Sequence, residues 1–237
     1  VVKDGWAGLE ASGNVARGPF QARAECALHE MLQHIQQNGD LSKSPVVASV
    51  KLTNVPLERV VRAIDTGGSL RPLRGTADLT ATRDYHAIRQ GLICQTVVST
   101  ENVSWDQFPL SARTTCKADL FPERLVVESL NGRVADGRLF GRADIVLKAN
   151  PTGTFQIGIN RANLRQVKAL LGRRTASLSG SGNLRVDGRI HRTITGRAEL
   201  TIDHAVASGV KVRSVRMPVD WSFSRETQTA RWRCRAG

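Results

Sequence analysis

The sequence predicts a mainly β fold: an extended, curled antiparallel sheet, open like a groove or taco, built of tandem repeats with one short helix in each. Three observations predict it. Apolar and polar residues alternate with period two along much of the chain, as in strands with one face towards a core and the other towards water. The chain matches itself, in order, at a period of roughly 105 to 120 residues, too long for a helical repeat and long enough for several strands. Aromatic residues make up only 5% of the chain, with Tyr85 the one tyrosine, which is thin for a sandwich that fills its interior with large rings.

The self-match begins with Asn14–Leu28, which lies over Arg133–Leu147 and shares Val, Ala, Gly, Arg, Ala and Leu with it, while Glu25 meets Asp144. The first copy then carries an insertion, about residues 29–40. After it Val50-Lys51-Leu52 lies over Ile157-Gly158-Ile159, and Leu57-Glu58-Arg59-Val60 over Leu164-Arg165-Gln166-Val167. Gly75, Leu79, His86 and Gly91 then meet Gly180, Leu184, His191 and Gly196 at one constant offset. The whole chain, 1–237, reads as one continuous array with approximate units 1–128 and 129–237.

Within the units the strands are one-sided. Val215, Met217, Val219, Trp221 and Phe223 alternate with Arg216, Pro218, Asp220, Ser222 and Ser224. Leu110, Ala112, Cys116, Ala118 and Leu120 alternate with Ser111, Arg113, Lys117 and Asp119. Leu139, Gly141, Ala143, Ile145 and Leu147 share a face opposite Arg142 and Asp144, and Phe155, Ile157 and Ile159 form another. Asn131-Gly132, Asp187-Gly188 and the run Ser179-Gly180-Ser181-Gly182 read as turns. One helix recurs: Pro56–Asp65, with Leu57, Val60, Val61 and Ile64 on one stripe and Gly67 as the stop, and Asn163–Leu171, with Leu164, Val167, Leu170 and Leu171 alike and Gly172 as the cap. The insertion predicts another helical turn over His29–Gln37.

The formal charge is +13, from 34 basic and 21 acidic residues. The arginines are dispersed, with no run longer than Arg173-Arg174, and acidic residues interleave with them. No aromatic RNA-binding motif or zinc-finger spacing accompanies them, so the excess reads as solvated, on the convex face, rather than as a nucleic-acid site. Cys26, Cys94, Cys116 and Cys234 form no C-x-x-C pair, so they read as small buried hydrophobes; Cys26 aligns with Ile145 and is expected to be core-like. No apolar run approaches the length of a membrane span. The chain opens in strand-like sequence without a signal peptide, which reads as a piece of a longer protein whose anchor or export signal lies elsewhere.

Little in the sequence points to chemistry. His86 and His191 recur, but neither has a second His, Cys or carboxylate at ligand spacing. His29 and His34 are five apart, the wrong interval for one helical face. Ser179–Gly182 lacks both a nucleophile elbow and a phosphate-loop lysine. Asn102-Val103-Ser104 fits a glycosylation acceptor, a common coincidence. No catalytic residue, metal site or cofactor is assigned, and the chain reads as a non-enzyme.

Three stretches carry a resemblance to a known family: Ser129–Leu147 (SLNGRVADGRLFGRADIVL), the strand-and-helix INRANLRQVKALLG, and LSGSGNLRVDGRIHRTITGRAELTIDHAVASG with its glycine-spaced hairpins. In this order, over nearly the whole chain, they resemble the AsmA-like superfamily, which includes the TamB-like proteins of the bacterial envelope. The resemblance implies a periplasmic location, a parent protein anchored in the inner membrane by a segment outside this chain, and an apolar β-groove that shelters or conducts phospholipid between the two membranes. Val215, Met217, Val219, Trp221, Phe223, Phe155, Ile157, Ile159, Leu139, Ile145 and Leu147 are the residues expected to line that groove, touching phospholipid acyl chains. The competing reading is a non-catalytic spacer or scaffold for outer-membrane assembly, with envelope assembly proteins as partners.

Overall fold

A computed structural model describes residues 2–3, 5–15, 17–37, 45–64, 73–105, 108–170, 178–207, 209–224, 227 and 229–234. The first half contains β1 (Val2–Lys3), β2 (Trp6–Val15), β3 (Gly18–Ala27), α1 (Leu28–Gln36), β4 (Val46–Pro56), α2 (Leu57–Ile64), β5 (Leu73–Arg83), α3 (Tyr85–Arg89), β6 (Cys94–Trp105) and β7 (Phe108–Phe121). The second contains β8 (Arg124–Val134), β9 (Gly137–Val146), β10 (Thr152–Asn163), α4 (Leu164–Leu170), β11 (Leu178–Ile190), β12 (Thr193–Ala207), β13 (Val210–Ser224) and β14 (Thr229–Cys234). All strands lie in one sheet in sequence order, each antiparallel to its neighbours, and β1 and β14 stand at opposite edges. The sheet is mainly β, extended and unclosed.

The element order β2-β3-β4-α2-β5-β6-β7 recurs as β8-β9-β10-α4-β11-β12-β13. Local geometry recurs with it. In the β8–β9 hairpin Ala135 and Asp136 both have positive φ, 48° and 61°, the pattern of a two-residue turn whose twist suits the strands. Arg17, with φ 67°, holds the matching place between β2 and β3. β4 and β10 each carry a bulge just before their helix, between Leu52 and Val55 and between Ile159 and Ala162. At each bulge one residue is left-handed, Asn54 at φ 56° and Arg161 at 57°. A side chain on the next strand holds it: Asp78 Oδ1 accepts from the Asn54 N–H at 2.6 Å, and Asn183 Oδ1 from the Arg161 N–H at 2.9 Å. The bulge bends the strand so that α2 and α4 turn back over the sheet.

Buried apolar side chains gather where the helices meet the strand ends. Val55, Leu57 and Val61 are buried at α2, Ala162, Leu164 and Ala205 around α4, and Ala87 and Leu92 around α3. Asp84 caps α3, accepting from the Ala87 N–H at 2.8 Å. α3 and α1, which spans the expected helical turn, have no counterpart among the described residues of the second unit. The expected stops at Gly67 and Gly172 lie outside the described residues.

Three expected turns are strand. Asn131-Gly132 lies within β8, Asp187-Gly188 within β11, and Ser179–Gly182 opens β11. Gly188 owes its identity to a neighbour: the Phe155 ring lies where its Cβ would be. Gly180, at φ 125°, sits against the His204 carbonyl, and Gly75 repeats this at φ 131° against Glu101. These glycines make room for rings and backbone inside strands, a use that turn statistics miss.

Candidate functional site

Directly opposed residues in neighbouring strands share a face, so the register assigns every strand position. One row runs Gly13, Phe20, Leu52, Leu79, Val98, Cys116, Leu130, Gly141, Ile157, Val186, Ala198, Val219, Cys234, from β2 to β14, without a charged or polar side chain other than thiols. Thirteen strands at about 4.8 Å make this row about 58 Å long. The flanking row Leu139, Ile159, Leu184, Leu200, Met217 lies beside it. On its other side run Ala143, Phe155, Gly188, Gly196, Trp221 and Trp232.

Val215, Met217, Val219, Trp221, Phe223, Phe155, Ile157, Ile159, Leu139 and Ile145 therefore fall on one face. Leu147 lies just past the end of β9 and is exposed. The face is partly open to water: Ile157 is 39% exposed, Met217 43% and Trp232 70%. Phe155 and Trp221, ring centres 6.1 Å apart, lie over Gly188 and Gly196, so the two rings fill space that the glycines vacate. The whole chain exposes 15986 Å², whereas a compact monomer of 25.8 kDa exposes about 10,500 Å². The excess is what an open sheet leaves when helices cover only its strand ends.

The opposite face is polar. Arg142, Gln156, Asp187, Arg197, Asp220 and Arg233 form one of its cross-strand rows. Gln156 donates to Asp187 at 2.7 Å, Arg124 Nε and Nη2 donate to the two Asp144 oxygens at 2.7 and 2.5 Å, and Arg216 Nη2 donates to Glu199 at 2.9 Å. The hydrogen-bonded guanidinium of Arg124 holds the Asp144 carboxyl below its ordinary range, and Arg216 does the same to Glu199. Such exposed pairs contribute little to stability. A depression of about 1110 Å³ opens among this face's residues, including Arg142, Asp144, Gln156, Asp187 and Arg197. A second, of about 590 Å³, lies over Glu10, Gln21, Arg23 and Lys51 in the first unit. The expectation of arginines on a convex face is corrected by these depressions: the polar side is hollow at both places.

The cysteines also differ from expectation. Cys26, Cys94 and Cys116 are half-buried and Cys234 is exposed, because the face they occupy is not covered. Burial raises the Cys116 thiol pKa above its ordinary value. His86 lies on α3 and His191 in the β11–β12 turn, both exposed. Among the described residues no group of His, Cys, Asp and Glu is arranged to hold a metal, and no helix is long and apolar enough to cross a membrane.

The open apolar face is thus the feature that needs an explanation. Comparison with protein-family models, curated proteins and solved structures finds no match.

Proposed function

We propose that this chain is a segment of an AsmA-like, TamB-like envelope protein in the periplasm, and that its apolar face shelters phospholipid acyl chains on their way between the inner and outer membranes. The supporting observation is the unbroken apolar row across thirteen strands, half-exposed along its middle. Uncovered apolar surface of that extent is unfavourable in water and marks a binding surface. Acyl chains suit it because they need no hydrogen-bond partners and conform to a floor of glycine, alanine and scattered rings. Each methylene removed from water contributes about 0.8 kcal/mol. The chain acts here as a conduit without a catalytic step, cofactor or nucleic-acid partner.

The test is extraction of the purified protein with organic solvent, followed by mass spectrometry, on the natural chain and on Met217→Asp and Ile157→Asp. The natural chain should yield phospholipid in stoichiometric amounts. Each variant should retain its β-sheet circular dichroism and lose bound lipid, since a carboxylate facing hydrocarbon is strongly disfavoured. Variants that unfold, together with a lipid-free natural protein, would show that the face is a dry core and favour the spacer reading.

A further inference from the structure

The two rims of the sheet, where strands end, differ in charge. One rim holds the β2–β3 and β8–β9 turns and the helices α2 and α4; the other holds α1, α3 and the β7–β8 and β11–β12 turns. At the α2/α4 rim, over the last three residues of each strand and the connections, the first unit places Arg17, Arg59, Arg62 and Arg74. The second unit places Arg133, Arg138, Arg161 and Arg165 there, followed by Lys211. Against these nine stand two described acidic residues, Glu58 and Asp136. By the same measure, among residues whose side chains are described, the opposite rim holds seven basic and six acidic ones, near balance.

Pairing differs less. At the balanced rim Arg124 is ion-paired with Asp144 and Lys148 with Glu123. Among the described residues none of the nine basic residues at the α2/α4 rim has an ion pair. The two units differ residue by residue at this rim, since Arg17 lies where Asp136 does and Arg59 where Gln166 does, yet the first supplies four of these cations and the second five. At the balanced rim Arg89, Arg189, Arg192 and Arg231 are likewise without an ion pair among the described residues, so the excess of cations over acids is what distinguishes the α2/α4 rim.

The apolar face begins directly inside this rim. β5, which packs on α2, and β10, which precedes α4, are five strand spacings apart, about 24 Å. That leaves a stretch of rim between the helices, within which Arg133 and Arg138 oppose each other across the β8–β9 hairpin, at the strand ends and on the side away from Leu139. An acyl chain reaches about half of a ~30 Å hydrocarbon core, some 15 Å. At ~3.3 Å per residue this is about five residues of strand, the distance inward along β10 from Ile159 to Phe155 with its neighbours. A charged head at the rim and a tail on the face are therefore compatible in length.

We infer that the amphiphile held by this chain is anionic, with its phosphate-bearing headgroup at the α2/α4 rim and its acyl chains on the apolar face. The inference rests on the lipid reading above and adds headgroup charge and orientation. A phosphodiester without a compensating cation gains attraction from unpaired arginines, whereas a choline head also presents a like charge to them.

The test uses delipidated full chain and spin- or radiolabelled lipids with identical acyl chains, phosphatidylglycerol and phosphatidylcholine, at low and at physiological salt. Phosphatidylglycerol should bind about a hundredfold more tightly at low salt, with the preference reduced by salt. Neutralising Arg133, Arg138 and Arg165 to Gln should cost about fivefold for each residue, roughly a hundredfold together, for phosphatidylglycerol and almost nothing for phosphatidylcholine. Neutralising Lys148 and Arg192 at the opposite rim should leave both unchanged. Equal binding of the two lipids overturns the inference while the lipid reading stands, and binding of neither overturns both. Glycerol phosphate binding as tightly as the lipid, or duplex DNA displacing it, also overturns the inference, because the rim would then be a small-anion or polyanion site independent of the apolar face.

Discussion

Truncating Ile157 and Leu164 to alanine separates an open face from a closed core. Ile157 is central on the apolar face and 39% exposed; Leu164 sits under α4 and is 6% exposed. Complete burial of such a side chain is worth about 1.5–3 kcal/mol by transfer, and truncation in a closed core costs about 2–5 kcal/mol because a cavity is added. Ile157 has realised only about three-fifths of its transfer term, and removing it leaves a dent open to solvent rather than a void. Ile157→Ala in lipid-free protein should therefore cost about 1–2 kcal/mol and Leu164→Ala about 3 kcal/mol. Urea unfolding followed by tryptophan fluorescence and circular dichroism gives both, with the slope compared to detect loss of two-state behaviour. An Ile157→Ala cost equal to or above that of Leu164→Ala would refute the open face. Saturating lipid should widen the loss at Ile157, since a ligand that binds only the folded chain adds its binding free energy.

Three further outcomes follow from the geometry. Asp78→Ala and Asn183→Ala each remove the acceptor that holds a left-handed bulge residue, and each should cost about 0.5–1.5 kcal/mol, with hydrogen exchange accelerated at α2 in the first case and α4 in the second. The Asp144 carboxyl has a lowered pKa in the folded state, so its pairing with Arg124 stabilises above the unfolded pKa of about 4 and is lost as pH falls through the lower folded value. The small stability difference between the natural chain and Asp144→Asn should thus be present at pH 6 and shrink below about pH 4, read from urea midpoints. Cys234 should react with a thiol reagent near the rate of a free thiol, and Cys116, whose pKa burial raises, far more slowly at pH 8; mass spectrometry of labelled peptides over time distinguishes them.

Period-two alternation and the ordered self-match made the strands, the single sheet and the equivalence of α2 and α4 legible, because both features report on neighbours fixed by the backbone itself. Leu57 and Leu164 marked the two helices through their stripes, and the parity of Met217, Ile157 and Leu139 put them on one face before any register was known. What escaped depended on longer-range geometry. Gly132 and Gly188 read as turns because a glycine packed against the next strand, on Thr114 in one case and the Phe155 ring in the other, is indistinguishable from a turn glycine in one dimension. α3 is five residues long, too short for a stripe. The depressions on the polar face are lined from several strands at once, which no single strand displays. The charged rim was hidden because its arginines are far apart in sequence and meet only when every second connection is brought to one end.

The fold solves an unusual stability problem. An isolated hairpin is marginal in water, and a sheet with one uncovered apolar face forgoes the burial that normally offsets chain entropy. This sheet instead distributes its fully buried side chains into small local clusters, one under each of α2, α3 and α4, and relies on nearest-neighbour pairing between them. In such an array each strand is stabilised mainly by the two beside it, so the middle of the face can remain half-exposed without loss of the whole. A closed sandwich could hold together equally well but would have no accessible interior surface. The recurring bulges then have a clear role. By turning α2 and α4 over one rim, they anchor the strand ends through Val55, Leu57, Ala162 and Leu164 while leaving the span from Ile159 to Phe155 uncovered. Lengthening α4 across that span should stabilise the lipid-free chain and abolish lipid uptake together, since the same surface cannot be both a core and a conduit.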